Sequence, residues 1–96
     1  IEAWGGVLKK GDYVAEHNHM PKVTEHNTGV NASGVLYLTD VLPGTYFKKY
    51  DTTIKPEVGK IIIFGNDLFH EVKPSTSDED RINIAFNLRK KEDYEF

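Results

Sequence analysis

Short β-prone runs recur along this chain about every ten positions, each closed by turn residues, and that rhythm admits few folds. Strands are expected near 2–9, 12–19, 33–39, 44–49, 52–55, 60–65, 69–73 and 81–89. The breaks at Lys10-Gly11-Asp12, Leu42-Pro43-Gly44, Pro56-Glu57-Val58-Gly59, Gly65-Asn66-Asp67 and Pro74 to Asp80 all carry turn chemistry. Ile, Val, Thr and Tyr dominate the runs, and no long stretch repeats with helical period. About eight strands in so short a chain fit an all-β jelly roll, two sheets folded face to face. With 96 residues there is room for one domain, 1–96, because two halves would each be too small to hold a core.

Composition removes several classes of function. A net charge of −3 does not suit the nucleic-acid backbone, and Arg89-Lys90-Lys91 is cancelled at once by Glu92-Asp93. No apolar run approaches the roughly 20 residues of a membrane helix, so no membrane partner is expected. There is no cysteine, which excludes disulfides, thiolate metal sites and cysteine nucleophiles, and which suits a cytoplasmic or viral setting. Any metal must therefore be held by the four histidines and the carboxylates.

His17 and His19 are separated by one residue, so a strand would put both rings on one face, with Glu16 and Asn18 on the other. Neutral imidazoles suit Fe, Zn, Ni or Cu. An isolated pair of this kind is also commonly just exposed. His70 adds weight, since it opens a strand that a jelly roll can lay beside the second one, across the barrel mouth. His26 falls in the long segment after Met20 and is read as a non-ligand. On the last strand Arg81, Asn83, Ala85 and Asn87 alternate with Ile82, Ile84, Phe86 and Leu88. The simpler interpretation turns the polar side to water; the sharper one has it line a cavity in which Arg81 awaits an anion. Trp4 is a core anchor or a pocket wall, the core being the first choice.

These pieces resemble the double-stranded β-helix core of the prolyl-hydroxylase-like 2-oxoglutarate and Fe(II)-dependent oxygenases, in particular a short phage and marine bacterial branch. The likeness is carried by Trp4 and Gly11 ahead of Glu16-His17-Asn18-His19; by Ser33-Gly34-Val35-Leu36-Tyr37-Leu38; by Pro43-Gly44-Thr45-Tyr46-Phe47; by Pro56 to Phe64; by His70-Glu71-Val72-Lys73-Pro74; and by Arg81 to Asn87. The order and spacing are specific, although no single piece is. The resemblance implies a dioxygenase that binds Fe(II) through His17 and His70 and takes 2-oxoglutarate as cosubstrate. It places Arg81 on the far carboxylate of 2-oxoglutarate, joined by Tyr37, with Asn83 beside them on the same strand face. It further implies N-terminal helices bracing the barrel, which this chain, opening at Ile1, does not contain.

The sequence departs from the family's HxD pattern, because His19 stands where the aspartate would be. His19 is then a third ligand, or Glu16 or Glu25 supplies the carboxylate, or the triad is broken. A second resemblance, to the cupin-like barrels, rests on Gly11 and the His17/His19 pair, but Glu25 comes too late for the cupin glutamate. The alternatives to the oxygenase are a cupin-type metal dioxygenase that ignores 2-oxoglutarate, and a non-catalytic jelly-roll module of a larger, phage-like assembly. A small molecule or a protein side chain is the expected substrate. The apolar face of Ile82, Ile84, Phe86 and Leu88 needs a cover, which a second copy of the chain could provide.

Overall fold

The computed structural model describes residues 2–19 and 32–88. The expectations for His26, for Glu25 and the rest of the segment after Met20, and for the charge cluster from Arg89 to Asp93 lie outside the described residues. The eight strands are β1 (Glu2–Leu8), β2 (Val14–His17), β3 (Ala32–Tyr37), β4 (Thr45–Phe47), β5 (Thr52–Ile54), β6 (Ile61–Gly65), β7 (His70–Val72) and β8 (Arg81–Leu88). They form two antiparallel four-stranded sheets, ordered β1-β8-β3-β6 and β2-β7-β4-β5. This is the expected jelly roll, with successive strands crossing between sheets except at the β4–β5 hairpin.

Two elements differ from expectation. The strand expected over 44–49 stops at Phe47, and Lys48–Tyr50 makes one turn of 3-10 helix. Asp51 closes that turn in the left-handed region at φ 47°, and its carboxylate accepts a 2.8 Å hydrogen bond from the Tyr46 hydroxyl. The strand expected over 12–19 is cut to Val14–His17 because it carries a bulge. Val14 pairs with Val72 and His17 with His70, so three steps on β2 oppose two on β7. The extra residue lets Val14 and His17, at odd spacing, face the same interior.

Cross-strand partners share a face, so the register sorts the β1-β8-β3-β6 sheet cleanly. Arg81, Asn83, Ala85 and Asn87 point inward with Trp4, Ser33, Val35 and Tyr37; Ile82, Ile84 and Phe86 point outward with Val7, Leu36, Ile61 and Ile63. Gly34 lies under the Phe86 ring, where a Cβ would strike that ring and approach the Ile62 carbonyl oxygen to 2.8 Å. Only glycine fits there.

The interior is a lined cavity more than a packed core. Among the described residues the buried apolar side chains are Val35, Tyr37, Val41, Phe47 and Val72, against buried Ser33, Thr45, His70, Ser75, Arg81 and Asn87. Burying that many polar groups is tolerable only if they are satisfied, and no fully buried polar side-chain atom among them lacks a hydrogen bond. Among the described residues no helix is long and apolar enough to cross a membrane.

Candidate metal centre and anion site

His17 and His70 face each other as a cross-strand pair on β2 and β7, their ring centroids 4.3 Å apart. His19 lies just past the end of β2, where its backbone N–H donates to Asn66 O at 2.9 Å, and its ring still turns to the same interior. One nitrogen from each of the three rings lies within 4.8 Å of the others. Among the described residues no carboxylate joins them, and Glu16 is exposed on the opposite face.

Each imidazole has one nitrogen committed to an oxygen acceptor. His17 Nδ1 donates to Ala15 O at 2.7 Å, His70 Nδ1 to Leu68 O at 3.0 Å, and His19 Nδ1 to Asn87 Oδ1 at 2.8 Å. With the hydrogens on Nδ1, the Nε2 lone pairs converge, and those of His19 and His70 are 3.2 Å apart. Two lone pairs at that distance repel each other unless a cation lies between them. Nitrogens each about 2.1 Å from one ion and at right angles around it would sit about 3 Å apart. The His19–His70 spacing therefore fits two adjacent ligands of a divalent transition metal, with the His17 nitrogen near enough to join them after a small adjustment of its ring. Protons compete poorly here. Burial lowers His70 to about 4, despite the favourable Leu68 carbonyl, and the neighbouring His17 and His19 add to the effect. Burial also lowers His19, against the opposing effect of Asn87 and with a smaller push from His17.

The same cavity, of about 140 Å³, runs from these rings past Thr45, Val35 and Asn83 to Arg81. Its size is about ten times the minimum a single water needs, enough for a small dicarboxylate. Arg81 is 2% exposed. Its Nε donates to Pro43 O at 2.8 Å and its Nη1 to Asn83 Oδ1 at 2.9 Å, while its guanidinium carbon lies 5.5 Å from the centre of the Tyr37 ring. Desolvation lowers its pKa, with Tyr37 opposing, yet an arginine stays charged in a protein. No ion pair among the described residues involves it. A buried cation without a counter-ion is costly, so the cavity favours an anion at this end.

The structure thus gathers His17, His19 and His70 at one end of the cavity and Arg81 with Asn83 at the other. The polar side of β8 lines the cavity, which overturns the simpler solvent-facing reading of that strand. Tyr37 is fully buried, but its hydroxyl bonds Thr45 Oγ1 at 2.6 Å and its ring backs the Arg81 guanidinium. Trp4 is no core anchor among the described residues: it is 45% exposed, on a strand at the end of its sheet, and stacks on His19 with ring centroids 6.1 Å apart. Thr45, Ser33 and Asn87 were given no individual role by sequence reasoning. Only the inward register of Asn87, two positions past Ala85, signalled its place.

The family of 2OG-Fe(II) oxygenases matches residues 44–87. That segment carries Thr45, His70, Arg81, Asn83 and Asn87, and leaves out the His17/His19 pair. No curated protein matches the chain. Among solved structures, a viral collagen prolyl hydroxylase from Paramecium Bursaria Chlorella virus-1, in complex with 2OG, superposes with a TM-score of 0.69 at 20% identity, over 93% of this chain and 60% of that one. A Pseudomonas putida prolyl-4-hydroxylase gives 0.68 at 17% identity, over 93% of this chain and 52% of that one. The chain therefore spans roughly half to three fifths of these relatives, and at such identities the likeness is one of fold.

Proposed function

We propose that this chain, which matches the prolyl-hydroxylase-like 2-oxoglutarate and Fe(II)-dependent oxygenases in family segment and in fold, is the barrel of a dioxygenase with a three-histidine metal site. His17, His19 and His70 hold Fe(II) through Nε2, and Arg81 pairs with the far carboxylate of 2-oxoglutarate. Bound iron would supply the oxygen chemistry, in which 2-oxoglutarate and O2 give CO2 and succinate, succinate taking one oxygen atom while the other is inserted into a substrate C–H bond to give C–OH. The protein's part is binding, orientation and exclusion of water. The Arg81 fork, set by Pro43 O and Asn83, suits a planar carboxylate bidentately. Thr45 and Tyr37 hold the wall beside it. A small molecule or a protein side chain reaches the metal past Trp4, which is half open to solvent.

One observation carries this reading: a buried, uncompensated arginine shares a single cavity with three converging imidazoles. A cupin-type dioxygenase would use the imidazoles and leave Arg81 unexplained, and a non-catalytic module would need neither. The test is 2-oxoglutarate binding to the Fe(II)-loaded chain without oxygen. Arg81→Ala is expected to weaken it on the order of 100-fold, as loss of one partner of a buried charge pair does. An Arg81→Ala chain with unchanged affinity defeats the cosubstrate assignment.

A second reading concerns partners. The outer face of the β1-β8-β3-β6 sheet presents Val7, Ile61 and Ile63 at more than half exposure beside Ile82, Ile84 and Phe86. An apolar face of this kind marks a contact surface. It is covered by further sequence of the same protein or by a second copy of the chain, which light scattering over a concentration series distinguishes.

A further inference from the structure

His19 differs from the other two histidines in what fixes its ring. His17 and His70 each send their Nδ1–H to a backbone carbonyl two residues back, so the nearby main chain itself sets their tautomer. His19 lies beyond the end of β2, and its Nδ1 partner is a side chain 68 positions away. Trp4 stacks on one side of the ring, and the Phe64 ring stands nearly perpendicular to it with centroids 6.4 Å apart. Those contacts hold the plane of the imidazole but cannot tell one side of the ring from the other. A half-turn about χ2 exchanges Nδ1 with a carbon while the stacking survives. Only a polar contact distinguishes the two.

That contact is the Asn87 amide oxygen, which also accepts a 2.9 Å hydrogen bond from the Ser33 hydroxyl. Ser33 and Asn87 are register partners across β3 and β8, and they are 0% and 8% exposed. We infer that Asn87, held by Ser33, is a positioning residue that makes position 19 a metal ligand: it fixes His19 as the Nδ1–H tautomer with Nε2 aimed at the His17 and His70 nitrogens. A carboxylate at position 19 has no tautomer for a partner to fix. The Ser33–Asn87 pair thus supplies what a histidine at this position requires. The inference rests on the three-histidine reading above. It adds a dependence on the opposite sheet that the reading itself does not require.

The experiment is a double-substitution cycle read by Zn(II) and Co(II) affinity, not by turnover. Asn87→Leu in the otherwise native chain is expected to weaken metal binding about 10–100-fold, the usual cost of losing a ligand's outer partner. Asn87→Asp keeps an acceptor and is expected to bind metal at least as tightly as the native chain. In a His19→Asp background, Asn87→Leu should change affinity by less than about 3-fold, because the ligand there has no tautomer to set. Histidine two-bond 1H–15N spectra of the Zn(II)-loaded native chain should show His19 protonated at Nδ1. Equal metal affinity for native and Asn87→Leu chains, or an equal loss in both backgrounds, overturns the inference while leaving the metal site standing. Should Asn87→Leu fail to fold, Ser33→Ala replaces it in the cycle, with a smaller loss expected in the histidine background and none in the aspartate one. A native chain that takes up no metal sinks the three-histidine reading itself.

Discussion

The two faces of the β1-β8-β3-β6 sheet invert the usual arrangement of a small protein. The inner face carries Arg81, Asn83, Asn87, Ser33 and Tyr37, and the outer face carries Ile82, Ile84, Phe86, Ile61, Ile63 and Val7. Hydrophobic burial alone would turn such a sheet over. It stays this way because, among the described residues, no fully buried polar side-chain atom lacks a hydrogen bond, and because three imidazoles face those groups across the cavity. Alternation therefore reports which residues share a face, but it does not report which face is inside.

The comparison predicts that the cavity under the inner face is sensitive to protonation, through His70 on the facing β7, and that the outer face is not. In the folded chain burial lowers His70 to about 4, against about 6.5 when unfolded, so between those values the unfolded chain binds the additional proton. Stability of the metal-free protein should be full above about pH 6.5 and fall by about 3 kcal/mol as the pH drops to about 4. Urea unfolding at a series of pH values measures this. His70→Asn should flatten the profile; a profile equally steep in that variant would place the titrating group elsewhere.

A second contrast lies within the outer side itself. Gly34→Ala would push a methyl group into the Phe86 ring and the Ile62 carbonyl, at a cost of about 1–3 kcal/mol for overpacking. Ile63→Thr, on the same face but 61% exposed, should stay within about 0.5 kcal/mol in the isolated chain. It should also reduce self-association if a second copy covers the face. Thermal or urea unfolding gives the first pair of values, and light scattering the last. A large loss for Ile63→Thr in a dilute monomer would show that the face is packed already.

Much of this architecture is legible in the residues. The eight strands follow from turn chemistry between β-branched runs, because Gly11, Pro43, Gly59 and Pro74 leave the chain little else to do. The metal candidates His17, His19 and His70 were readable from spacing and from the place of His70 at the head of a strand. The bulge in β2 was not, since nothing local in Val14-Ala15-Glu16-His17 separates a regular strand from a bulged one. The direction in which β8 turns its polar side was also hidden. It depends on β2 and β7 lying opposite, which is a property of the whole barrel. The role of Asn87 needs both facts at once, because its partner His19 is on the other sheet and lies beyond the end of a bulged strand.

The joint claim, a cation at the imidazoles and a dicarboxylate reaching it from Arg81, is tested most directly by anaerobic dialysis of the native chain against Fe(II) and 2-oxoglutarate. About one iron per chain is expected, with 2-oxoglutarate held at least about tenfold more tightly when iron is present, because both ends of the cosubstrate are then engaged. Less than about 0.1 iron per chain, or 2-oxoglutarate binding that ignores the metal, would contradict it.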